Sequence, residues 1–183
     1  MRNVISILVC SFLTLVFLTG CNGPVSSNVF PPSVAGTWQA EGSVWKIVLS
    51  KDGKVESALM PLGEVEVRPN QTTTFEMRDG SMSHMTAGDC LAEYKPAKRE
   101  LMVSIEVKDF YISFPGDALT GNTLDIFRGP VSRDGKTWNA EQITVFDYGP
   151  RFPQAENEPN FPKPIVFRKV KEQPKVVDSN SSR

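Results

Sequence analysis

From Gly36 onward, apolar and polar residues alternate in short runs separated by turn residues. Trp45, Ile47 and Leu49 share one parity, while Lys46 and Ser50 take the other with Val48 between them. That period of two belongs to a half-buried strand. The Asp52–Gly53 pair then accepts the positive φ of a tight turn, so the stretch led in by Gly36–Thr37–Trp38 reads as a hairpin returning from Val55 to Leu62. Gly63 marks a bend or bulge. Val65 and Val67 next face away from Glu64, Glu66 and Arg68, a separation that a helix would scatter. After a Pro69–Asn70 reversal, Thr73, Phe75 and Met77 alternate with Thr74, Glu76 and Arg78 up to the Asp79–Gly80 turn. Residues 81–87 break the rule, because Met82 and Met85 stand three apart, and they read as an irregular strand or a loop. Cys90 to Tyr94 resumes the alternation until Lys95–Pro96 ends it.

Leu101, Val103, Ile105 and Val107 form the clearest central strand. Parity changes at Lys108–Asp109 before Phe110 to Phe114, which predicts a bulge that twists one long strand. Pro115–Gly116–Asp117 ends that run, and residues 119–122 predict a short turn before a strand over Thr123 to Arg128. Asp134–Gly135 announces another hairpin, with Trp138 to Tyr148 as its second arm. Five prolines, from Pro150 to Pro164, make a long stiff loop, and Ile165 to Val170 closes the domain. No segment carries the 3.6-residue periodicity of a substantial helix. The expected fold is all-β: a single antiparallel, barrel-like meander of about eight strands, with a β-sandwich as the alternative.

The first residues follow another logic. Arg2, an apolar run from Val4 to Leu18 and small residues after it read as a secretory leader, too short and too terminal for a good membrane span. Leu18–Thr19–Gly20–Cys21 resembles the lipobox of bacterial lipoproteins at all four positions. The resemblance implies cleavage before Cys21, diacylglycerol on its thiol and acylation of the new amine. The lipid bilayer becomes the first partner and the cell envelope the location. Asn22, where an aspartate would retain the protein at the inner membrane, fits sorting to an outer membrane in a host with two. An ordinary secretory leader or an uncleaved anchor are the other readings of the same residues. The chain thus divides into a signal peptide (1–20), a Pro-, Ser- and Asn-rich membrane tether (21–34), the β domain (35–170) and a polar tail (171–183) with little reason to fold.

Charge adds little, since a net −1 gives no electrostatic reason to expect nucleic acid. Of three cysteines, Cys10 lies in the leader and Cys21 would be lipidated, so Cys90 is left without an internal partner and reads as a small buried hydrophobe. His84 lies near Met82, Met85, Asp89 and Cys90, soft ligands suited to copper, but no two of them have a signature spacing. No metal or cofactor is expected. Asp109, Asp117, Asp125, Asp134 and Glu141 are ordinary acids in strands and turns. The chain also has no Gly-x-Ser-x-Gly elbow and no phosphate-binding glycine loop. No catalytic residue is expected, and the protein reads as a non-enzyme.

Gly36 and Trp38 at the start of the first strand, together with Arg168 in the last, resemble the lipocalin-like pattern. That resemblance implies a barrel whose end is closed by Trp38, with Arg168 packed over the indole by stacking and cation–π attraction. Trp45, Phe75, Phe114, Trp138 and Phe167 would then line a pocket for a small hydrophobic ligand, unless they fill the core themselves. The alternative role is a structural or adaptor domain that meets an envelope protein through a sheet edge or the Pro-rich loop.

Overall fold

The computed structural model describes residues 30–148 and 161–171. The leader with Cys21, the tether before Phe30, the Pro-rich segment at 149–160 and the tail beyond 171 lie outside the described residues. Ten strands make up one antiparallel sheet: β1 (Gly36–Ala40), β2 (Lys46–Leu49), β3 (Val55–Met60), β4 (Val65–Val67), β5 (Thr72–Glu76), β6 (Met82–Lys95), β7 (Glu100–Phe114), β8 (Asp117–Pro130), β9 (Thr137–Asp147) and β10 (Lys163–Lys169). Since every strand belongs to one sheet, the sandwich alternative falls. Each strand pairs with its neighbour in sequence except β4 with β5, and β10 pairs back onto β1.

The sheet edges are therefore β4 and β5, which meet across a seam. Thr73 Oγ1 donates to the Glu66 carbonyl across the seam at 3.3 Å, the connecting loop is tied to β6 by Asn70 N to Gly88 O at 3.1 Å and Ala87 N to Gln71 O at 3.0 Å, and the sheet nearly closes into a barrel. Closure matters because it covers most of the exposed ladder that an open sheet would present.

Two irregularities decide how the long strands curl. The predicted bulge is present, with the β7–β8 and β6–β7 registers both shifting between Val107 and Phe110 or beside it. Of the two readings of residues 81–87 the irregular strand holds: Met82–Ala87 begin the long β6, whose register against β7 shifts at Thr86/Ala87 and again before Cys90. Met82 is 56% exposed on the outer face and Met85 is fully buried, as an odd spacing in a strand requires. The turn expected at 119–122 is also absent, because these residues run within β8. Gly121 marks a close approach there, since a Cβ on it would run into the Asp147 carbonyl oxygen of β9.

Inward-pointing side chains fill the lower half of the barrel. Trp138 stacks on Phe167 at 4.7 Å between ring centroids, Phe127 meets Phe167 edge-on at 5.4 Å and Trp45 at 4.9 Å, and Trp38 meets Trp138 at 6.1 Å. Aliphatic side chains of β7, Leu101, Val103 and Ile105, close the same layer and are fully buried.

Trp38 sits near the lower end and donates from Nε1 to the Val34 carbonyl at 2.8 Å. The expectation for Arg168 needs correction. In the β1–β10 register Trp38 lies opposite Lys169 and Gln39 opposite Arg168, so strand alternation sends Arg168 to the outer face. Its guanidinium binds Glu41 Oε1 at 2.7 Å and Thr137 Oγ1 at 2.7 Å. The cation over the indole is Lys169, whose Nζ stands 5.8 Å from the ring centroid and donates to the Pro32 and Ser33 carbonyls.

An antiparallel meander sends alternate turns to opposite ends. At the lower end Phe30 packs over Gly53 and 6.2 Å from Tyr94, Val131 N donates to Arg99 O, Gly135 lies against Ser33, and Lys169 N donates to Lys136 O. The turns gathered there carry Lys51, Lys54, Lys98, Arg99, Arg133 and Lys136, and β10 ends on Lys169 with Lys171 two residues beyond, against Asp52 and Asp134. Among the described residues the upper end instead carries Glu41, Glu64, Asp79 and Asp117 against Arg78 and Lys163.

Candidate ligand-binding site

Strand alternation continues above the aromatic layer, but the side chains it points inward become polar. On β8 the inward positions run Thr123, Asp125, Phe127, and on β9 they run Trp138, Ala140, Gln142, Thr144. The register sets Asp125 opposite Thr144. Asp125 is only 4% exposed, and its Oδ1 accepts from Thr144 Oγ1 at 2.6 Å and Gln142 Nε2 at 2.9 Å. Burial pushes the Asp125 carboxyl above the usual carboxylate range, opposed by these two hydrogen bonds. Burial also raises the Tyr148 phenol, helped by the Asp125 charge.

Two polar atoms in this group have hydrogen-bonding capacity to spare. Thr123, 6% exposed, buries its Oγ1 with no partner. Both donors to Asp125 converge on Oδ1, and no hydrogen bond to Oδ2 is present among the described residues. A buried polar atom left unpaired costs on the order of 1–3 kcal/mol, so its retention in a β-barrel interior calls for an explanation.

The surroundings are apolar and partly open. Phe110 meets Tyr148 edge-on at 5.8 Å, Phe146 stacks on Tyr148 at 4.5 Å, and Ile165, Gln142 and Thr144 are half-buried on the inward face. Lys163, opposite Gln142 in the register, shares that face at the rim and is exposed.

The five aromatic residues expected to line one pocket do not converge. Trp138 and Phe167 stack on each other and, with Trp45, pack against Phe127, so they make a floor. Phe75 is half-buried across the barrel beside Gly63. Phe114 ends β7 beyond the reach of β9, so its ring lacks cover and lines an upper surface cleft of about 420 Å³ with Pro61, Gly63 and Met77. Sequence reasoning missed Thr123, Gln142 and Thr144 and treated Asp125 as an ordinary acid. One signal was available: Asp125 shares the parity of Phe127, a carboxylate on a face that otherwise turns inward.

The residues around His84 are split by the sheet. His84 lies on the outer face, stacked on Tyr111 at 5.8 Å with Nε2 3.3 Å from Asp109, whereas Met85 points into the core. Cys90 is half-buried, and burial holds its thiol up at about 11. No group of three potential ligands gathers among the described residues.

A second concavity, about 900 Å³, flanks the lower end on the outside of β1, β2 and β10. Lys51, Lys136, Arg168, Lys169 and Lys171 line it against Asp52 and Glu56. No family model, no curated protein and no solved structure matches the chain.

Proposed function

We propose that this protein is a non-enzymatic lipoprotein of the cell envelope, anchored through acylated Cys21, whose barrel binds a small, largely apolar ligand carrying one hydrogen-bonding group. The observation that carries this reading is the buried pair Thr123 and Asp125 above the aromatic floor, with a free hydroxyl and a free carboxyl oxygen. A ligand hydroxyl or amine would donate to Asp125 and engage Thr123, while Phe110, Phe146 and Ile165 offer apolar contact. Such sites are mostly apolar with a few polar groups that fix orientation. The lipobox-like Leu18–Thr19–Gly20–Cys21 supports the anchor and, with Asn22, an outer-membrane address.

Native mass spectrometry of the protein purified gently from its own host tests the binding reading. A reproducible extra mass that disappears on organic extraction is expected. A bare mass, together with tryptophan emission unmoved by hydrophobic probes and extracted cell lipids, would defeat it.

A second reading, an adaptor that meets an envelope protein, is supported by the outer face of β8 and β9. There Leu124, Ile126 and Ile143 are half-buried and Val145 is 45% exposed, side by side in the register. Crosslinking from Val145 to one reproducible protein partner, with no bound small molecule, would favour it.

A further inference from the structure

The topology concentrates positive charge at the end of the barrel where the chain enters. Lys51, Lys98, Arg99, Arg133, Lys136 and Lys171 are all exposed there, and none has an ion-pair partner among the described residues. The acids of this end are few or engaged: Asp52 pairs with Lys54 at 3.2 Å, Glu93 with Lys95 at 3.6 Å and Glu100 with Arg128 at 2.9 Å, while Asp134 accepts from Ser132 and the Lys136 amide. Glu56 faces the flanking cleft. A chain of almost no net charge has therefore gathered six exposed cations without an ion pair at one pole, against Arg78 and Lys163 at the other.

That pole also adjoins the expected anchor. Cys21 precedes Phe30 by nine residues, which span at most about 30 Å when fully extended. Phe30 itself is buried at this end over Gly53. A chain held at Cys21 thus brings the basic pole, and not the acidic one, within reach of the bilayer.

We propose that the lower end of the barrel docks on an anionic phospholipid surface, with the cleft between Lys51, Lys136 and Lys171 receiving lipid headgroup phosphates. Docking fixes the polarity of the molecule: the polar-lined upper interior faces away from the membrane. The proposal rests on the acyl-anchor reading for proximity to the bilayer and on the charge distribution for orientation.

The test uses the acylated full protein reconstituted in vesicles of phosphatidylcholine alone or mixed equally with phosphatidylglycerol. Lysines are labelled with a water-soluble amine reagent and quantified by mass spectrometry. Lys51, Lys136 and Lys171 should label about fivefold more slowly on the anionic vesicles, the equivalent of roughly one basic residue's attraction to such a surface. Lys163 at the opposite end should label equally on both. The protection should disappear at about 0.5 M salt, where the screening length is only a few ångströms. In a Lys98→Glu/Arg99→Glu/Arg133→Glu variant, protection of the three reporter lysines should be lost although the anchor is intact. A protein that fails to float with either vesicle refutes the anchor reading. A protein that floats with both and labels identically on both refutes the docking surface while leaving the anchor standing.

Discussion

Replacing Asp125 by asparagine separates the charge of the interior carboxyl from its hydrogen bonds. Asparagine keeps an Oδ1 that accepts from Thr144 and Gln142, so the contacts at 2.6 and 2.9 Å survive while the ionisable group goes. Burial sets the folded-state pKa of Asp125 above its unfolded value. The folded protein therefore binds this proton more tightly. The resulting stabilisation is fully present below the ordinary carboxylate pKa and is lost as pH rises through the raised folded one. Wherever Asp125 is ionised, the wild type carries a buried charge without a counter-ion, and Asp125→Asn should then be more stable by on the order of 1 kcal/mol. Thr144→Val removes the shorter of the two donors and should cost about 1.5–3 kcal/mol when Asp125 is ionised, less in the asparagine background. Urea unfolding followed by tryptophan emission, from about pH 4 to about pH 8, measures all of this if the transition is two-state. Wild-type stability should fall relative to Asp125→Asn as pH rises through that window. The opposite slope, with wild type gaining on the variant as pH rises, would mean that the interior favours the carboxylate, and the account of burial raising the Asp125 pKa would be wrong.

Other perturbations report on the rest of the barrel. Phe127→Ala should cost about 3–5 kcal/mol, because a fully buried ring shared by Trp45, Trp138 and Phe167 leaves a cavity that a closed sheet relaxes around poorly. A shift in urea midpoint equivalent to less than about 1 kcal/mol would show that the floor is not packed. Gly129→Ala should cost roughly 1–3 kcal/mol, since its Cβ would meet the Asn139 carbonyl oxygen across the β8–β9 ladder; full retention of thermal stability would contradict that approach. Cys90, with its thiol held at about 11 by burial, should react with a disulfide reagent at neutral pH about tenfold or more slowly than the urea-unfolded chain. Equal rates would place the thiol in solvent.

Much of the fold follows from local pattern. The alternation of Trp45, Ile47 and Leu49, of Val65 and Val67, and of Leu101 to Val107 fixes which face of each strand is apolar, whatever the strand pairs with. Asp52–Gly53 and Asp134–Gly135 mark turns for a similar reason: their backbone preference is local, and Gly53 and Gly135 both take positive φ. The basic residues of the turns are equally visible in the chain, one turn at a time.

What pairs with what is another matter. That β10 returns to β1, and that Lys169 instead of Arg168 covers Trp38, depends on a register set by packing some 130 residues apart in sequence. Met82 and Met85 looked irregular until a strand separated them to opposite faces. Asp125 looked like any surface acid until β9 brought Thr144 and Gln142 against it and the closing sheet removed water. The basic pole likewise exists only because an antiparallel meander delivers alternate turns to one end. Periodicity along a chain encodes the facing of each residue, but burial, hydrogen-bond partners and the summed field arise from segments distant in sequence, and only the closed sheet brings those together.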